Sequence, residues 1–338
     1  MTGDSAAGNA APGSAAPSSP VAGRLAVRRA VHRRRRAAGP ARLLSARSRA
    51  LMWSGIALAL AVYVLFGLVP AAATALVSFT DYADFPGAPV HFTGLANYTS
   101  MFTVNRPGFM PAVIATAVFV IAVTVLQNVL ALAIAHRLVG DTRWNAVMRV
   151  VVFLPIVLGV TIVGLIWILF FDPGQGPGSS LWGAFGARSA FFGSASLAMP
   201  LVIFVQIWQN TGFSTMVFIG GLKAISPEIY QAASLDGVRA WQRLRRITWP
   251  LLAPSVTVNV LLAVVGAATV YNLIYVLTDG QNGTMTLGML SFNAAFGTSG
   301  GANLGYGAAV GTVLFVVTLV VALPLMWYLR RRERRLLA

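Results

Sequence analysis

Six apolar runs divide the sequence, at about residues 53–79, 111–136, 150–171, 197–222, 251–278 and 305–329. None contains Asp, Glu, Lys or Arg. Each has about the 20 residues that a helix needs to cross a hydrocarbon layer of ~30 Å. The pattern predicts an all-α membrane protein with six transmembrane helices, an even number that places both termini on one side. The first apolar stretch, Leu51 to Phe79, is far longer than the apolar core of a cleaved secretory signal, so it reads as a retained helix. Pro70 is expected to kink it.

The polar positions between the runs give the orientation. Of 25 Arg and Lys, ten precede the first run, three (Arg137, Arg143, Arg149) follow the second, five follow the fourth and five lie in the terminal "RRRERR". Only Arg106 and Arg188 fall in the alternate segments. Positive residues stay cytoplasmic, so both termini and the segment around Gly237 are expected on the cytoplasmic side. Residues 1–49 read as a disordered basic cytoplasmic tail: 1–23 are Ala/Gly/Ser/Pro-rich, and the ten Arg that follow suit lipid headgroups. The expected membrane domain is 50–335. Of the outer segments, 172–196 carries Trp182, Phe185, Phe191 and Phe192 that can dip toward headgroups, and 279–304 is Gly/Asn/Ser-rich and expected to be flexible.

Composition agrees. The chain is 57% hydrophobic and 10% charged, against roughly a quarter charged in soluble domains, and its mean hydropathy is +0.74. Its net charge of +16 is scattered over tails and loops, which does not make the folded basic face that nucleic-acid binding requires. There is no Cys, and the three His are far apart, so no metal centre is expected. Lys223 is the only Lys and no phosphate-binding Gly-rich loop with Lys occurs, so ATP is not expected on this chain. No catalytic set of residues emerges. Asp81, Asp84, Asp172 and Asp279 lie in outer segments, and nothing ionisable lies mid-run, which weighs against an ion-coupled secondary carrier.

One polar stretch stands apart, "YQAASLDGVRAWQRLRRITWP" from Tyr230 to Pro250. Ser226-Pro227-Glu228 is a helix start, since Ser caps, Pro fits the first turn and Glu suits the positive end. Asp236-Gly237 is a stop. A second helix carries Val238, Trp241 and Leu244 at three-residue spacing among Arg239, Arg243, Arg245 and Arg246. The segment 223–254 therefore predicts a helical hairpin between helices 4 and 5, on the cytoplasmic surface. An interfacial amphipathic helix would share its second half.

This stretch resembles the EAA loop of ABC-transporter permeases through Ala232, Ala233, Asp236, Gly237, Ile247 and Pro250. "LVPAAATALVSFTDY" and "FTGLANYTSMF" are similar to carbohydrate-uptake permeases of the maltose and glycerol-phosphate type. The likeness covers about residues 50–335. It implies a permease subunit in a bacterial cytoplasmic membrane whose loop docks on a dimer of separate ATPase subunits, which bind the ATP and Mg, while an extracytoplasmic binding protein delivers solute. Gln231 stands where the family has Glu, with Val238, Leu244 and Trp249 as further departures. The missing carboxylate suggests pairing with a second, different permease.

The solute path must be lined by neutral groups, which suits a sugar or polyol, with another small polar solute as the alternative. Gln206, Gln209, Asn210 and Phe213 fall at i, i+3, i+4 and i+7, a face that avoids lipid. Helix–helix hydrogen bonding is the competing use. In the fifth run, Gly266 and Val270 share a face with Ala263 and Asn259, and Tyr271 and Asn272 lie nearer the outer end. The resemblance implies solute contacts at positions like Gln206, Asn210, Phe213 and Gly266. Gln127-Asn128 reads as a link between helices.

Overall fold

Long apolar runs free of charge form long helices. The computed structural model, which describes residues 46–83, 89–186, 189–297 and 302–337, is helical, with only the isolated bridges Thr80–Phe92 and Ala83–Asn303 among the described residues. The chain divides after Leu68 into two units. The first holds α1 (Ala46–Tyr63) and a π turn at Val64–Leu68. The expected tail over 1–49 lies outside the described residues as far as residue 45, and Ala46 already belongs to α1.

The second unit holds α2 (Val69–Val77), α3 (Ala96–Phe102), α4 (Arg106–Leu138), α5 (Arg143–Val157), α6 (Val160–Phe170) and α7 (Pro177–Ala184). It continues with α8 (Ala198–Ala224), α9 (Pro227–Leu235), α10 (Ala240–Arg243), α11 (Ala253–Ala268), α12 (Asn272–Thr278), α13 (Leu287–Phe296) and α14 (Leu304–Leu337). Among the described residues four helices are long and apolar enough to cross a membrane, or up to six if each of two bent pairs counts as one span.

Helix α8 is the centre of the second unit: 56% of its most apolar stretch is buried, against 28% for that of α4 and 17% for that of α14. It packs on α4, α5 and α11. Between apolar helices in lipid, close approach and hydrogen bonds drive association, because burial removes no water. Small residues accordingly mark the contacts. A Cβ at Gly212 would run into the backbone of Val152 and Phe153, and one at Gly221 into Ser255 and Leu252. One core joins Phe119 and Val123 of α4 to Val202 and Val205 of α8 and Leu273 and Ile274 of α12. A second joins Phe109 to Leu287 and Val310, and a third joins Ala131 and Ala135 to Phe218 and Leu252.

Three expectations change. The third run is not one rod: α5 and α6 meet at Leu158-Gly159 and are bent by 98°. The bend frees backbone carbonyls, and Gln209 of α8 donates to that of Leu158 at 3.3 Å. The fifth run likewise stops at Ala268 and restarts at Asn272. The outer segment expected to be flexible contains α13, with Leu287 and Met289 buried. Thr286 caps α13 by accepting from the Met289 amide at 3.3 Å, and Thr116 accepts from the Leu287 amide at 2.8 Å. These caps come from Thr side chains, one of them 171 residues away, so Gly and Asn around the helix masked it.

Candidate functional site

Helices α4, α8 and α11 enclose a cavity of about 220 Å³. Gln206, Asn210 and Phe213 of α8, Gln127 of α4 and Gly266 of α11 line it. The pair α4–α8 is held at Ser214, whose hydroxyl accepts from Gln127 Nε2 at 2.9 Å and whose carbonyl accepts from Asn259 Nδ2 at 3.0 Å. Ser214 thus ties three helices at the wall of the cavity. Asn210 Nδ2 donates back to the Gln206 carbonyl at 3.0 Å. At Gly266 an added Cβ would meet nothing within 4 Å, so no packing contact requires glycine there and the wall is open. The lining holds amides, a hydroxyl and an aromatic ring, without a formal charge. Such a surface exchanges hydrogen bonds with a neutral polar guest and offers nothing to neutralise an ion.

The other expected path residues lie elsewhere. Gln209 is buried against the α5–α6 bend, where it satisfies Leu158. Tyr271 lines a separate cavity of about 490 Å³ with Phe292 and Ser291. Asn272 is exposed and its Oδ1 accepts from the Leu273 amide at 2.8 Å, opening α12.

The polar stretch folds as a hairpin. Ser226 caps α9 by accepting from the Glu228 amide at 3.3 Å. At the other end, Val238 N donates to Ala233 O at 3.1 Å and Gly237 N to Ser234 O at 3.2 Å. This pair of bonds closes a Schellman turn, which places Gly237 at φ +67°. A Cβ is disfavoured in that left-handed region by about 1–2 kcal/mol. Gln231, Ala232, Asp236 and Gly237 are exposed, while Ala233 points inward at 5% exposure. Leu235, which the motif does not single out, is a large apolar side chain left 91% exposed at the tip. The return arm runs through α10, a π turn at Leu244–Thr248 containing half-buried Ile247, and Pro250 before α11. Tyr230 and Thr248 hydroxyls lie 3.2 Å apart and Arg243 sits over the Tyr230 ring at 5.9 Å, so the arms are tied together.

A polar cluster anchors the root of the hairpin. Lys223, at the end of α8, pairs with Asp141 in the α4–α5 turn. Arg149 lies 3.8 Å from the same carboxylate and donates to the carbonyls of Leu138 and Gly140, capping the C-terminal end of α4. The Lys223 hydrogen bond, then its charge, hold the Asp141 carboxyl below its ordinary value of 3.8. Sequence reasoning missed this cluster, although Lys223 as the only Lys was a signal. In the loop after α2, the His91 amide, donating at 2.7 Å, likewise holds Asp81 low. Among the described residues no group of three His, Asp or Glu gathers as a metal site would.

Residues 128–336 match the sequence pattern of the binding-protein-dependent transport system inner membrane component family. The chain is 31% identical over 278 residues to the probable ABC transporter permease protein YurN of Bacillus subtilis, covering 80% of this chain and 92% of that protein. It is 34% identical over 280 residues to the diacetylchitobiose uptake system permease protein NgcF of Streptomyces coelicolor, covering 78% and 77%. Its fold is similar to a chain of a bacterial alginate ABC transporter crystallised with an alginate pentasaccharide-bound periplasmic protein: the TM-score is 0.72 at 19% identity, over 87% of this chain and 98% of that one.

Proposed function

The chain belongs to the family of binding-protein-dependent transport system inner membrane components, and from that premise we propose that it is one permease subunit of an ATP-driven importer of a sugar or related polyhydroxylated solute. In this reading the chain crosses a bacterial membrane six times, with both termini and the α9–α10 hairpin on the cytoplasmic face. A dimer of separate ATPase subunits binds ATP and Mg and grips the hairpin through Gln231, Ala232, Asp236 and Gly237, with Ala233, Ile247 and Pro250 fixing its shape. A second, different permease completes the path, and an extracytoplasmic binding protein delivers the solute.

The observation that carries this reading is the exposed, Schellman-closed tip of α9 on a hairpin wired to both path helices. Tyr230 meets Thr248 just ahead of α11, which bears Gly266, and the root at Lys223 ends α8, which bears Gln206 and Asn210. A push on α9 is therefore delivered to two walls of the cavity as a rigid displacement, rather than being absorbed in a flexible loop. Once open to the outer side, the uncharged amides of Gln206 and Asn210 and the ring of Phe213 exchange bonds with hydroxyl groups. The 34% identical relative NgcF, named for diacetylchitobiose uptake, supports the sugar class. Tyr271 and Asn272 contribute at the outer end of the path.

The test is Gly237→Asp in the assembled transporter. Uptake is expected to fall at least tenfold with assembly and membrane insertion intact, since a Cβ at φ +67° distorts the turn and an added charge faces the ATPase. Wild-type uptake by this variant would overturn the coupling role.

A further inference from the structure

The 490 Å³ cavity at Tyr271 is lined by further rings, Phe292 and Phe296, to which the path described above gives no role. Tyr271 and Phe292 stack at 5.1 Å and 22°, and Phe292 meets Tyr275 at 5.3 Å and Phe296 at 5.4 Å. Tyr82 lines the same space. We infer that this cavity is a second carbohydrate subsite, the outer station from which a sugar ring passes to the Gln206–Asn210 cavity. The inference rests on the sugar-permease reading.

Its chemistry fits one class of guest. Among the described residues no charged side chain lines it. Thr74 and Ser291 donate their hydroxyl protons inward, to the carbonyls of Pro70 at 2.9 Å and Gly307 at 2.8 Å, so each oxygen retains lone pairs to accept a hydrogen bond. A pyranose presents an apolar C–H face and a rim of hydroxyl donors. It can lie flat on a ring while its rim meets these oxygens and the phenols of Tyr82 and Tyr271. The volume is that of a small-ligand site. Tyr271 follows Gly266 by five residues across the end of α11, which makes the two cavities successive along one stretch of chain.

The competing occupant is the bilayer interface, where aromatic rings anchor a protein without reading any solute. Uptake kinetics separate the two. The assembled transporter with its binding protein is placed in proteoliposomes and offered a panel of neutral disaccharides, with glycine as a polar non-sugar control. For the best-transported disaccharide, Tyr271→Leu and Phe292→Leu are expected to raise KM about tenfold, the equivalent of one lost stacking contact, with kcat little changed. Tyr271→Phe, which keeps the ring, is expected to restore most of the affinity. If the Leu variants assemble poorly, Phe296→Leu serves instead, because that ring is 65% exposed and holds little packing together. A wild-type KM in the Leu variants that assemble would assign these rings to the interface and overturn the subsite alone. Failure of the wild type to take up any disaccharide would overturn the sugar reading, and the subsite with it.

Discussion

At Gly237 the backbone itself requires the residue: φ is +67° and the Schellman bonds on either side fix it. That requirement was legible from Asp236-Gly237 closing an amphipathic segment. The exposure of Leu235 was not, because a motif marks residue types and the turn decides which side chains project. Leu235→Asp is expected to weaken ATPase docking while leaving thermal stability within about 0.5 kcal/mol, as at most exposed sites, measured by ATPase stimulation and unfolding of the same preparation. The lining of the α4–α8–α11 cavity was legible in part. Gln206, Gln209, Asn210 and Phe213 span an arc of roughly 100° on a helix of 3.6 residues per turn. An arc that wide reaches more than one neighbour, so Gln209 at its edge meets the Leu158 carbonyl while Gln206, Asn210 and Phe213 meet the cavity. Replacing Gln206 and Asn210 together with Ala is expected to lower solute-stimulated ATPase more than the basal rate. Equal loss of both would instead mark these amides as structural.

Helices were legible as apolar runs, but their interruptions were not. The α5–α6 bend needs Gln209 from another helix, and α13 needs caps contributed with Thr116, so neither can be read from a local window. Close helix approach is equally non-local. Gly212→Ala is expected to force α8 away from Val152 and Phe153 and to cost roughly 1–3 kcal/mol, seen as a lower unfolding temperature of the purified chain. The root of the hairpin answers to acid. Because Asp141 titrates below 3.8 when folded, its ionised form stabilises the fold above that pH, and the contribution is lost as pH falls through the lowered value. Wild type is expected to lose stability more steeply than Asp141→Asn below about pH 4 and in parallel with it from pH 5 to 7, in unfolding scans across that range. Parallel curves throughout would mean that the Lys223 pair contributes nothing.

Over the whole molecule, large apolar side chains stay exposed along α4 and α14, among them Ile121 at 64% and Phe315 at 64%, as a surface made for lipid and for other helices requires. Among the described residues charge lies at or near helix ends, in the turns between helices and in the hairpin, which suits the proposed docking of the hairpin on a separate ATPase. The apolar runs made the long helices legible from sequence. The partners proposed for the chain rest on the resemblance of the hairpin to a family. Purifying the tagged chain in mild detergent from its native cells, with mass spectrometry of what accompanies it, tests this most directly. An ATPase subunit and a second permease are expected in stoichiometric amounts. The chain alone, from a preparation shown to be folded, would contradict the importer assembly and reduce the hairpin to an interfacial helix.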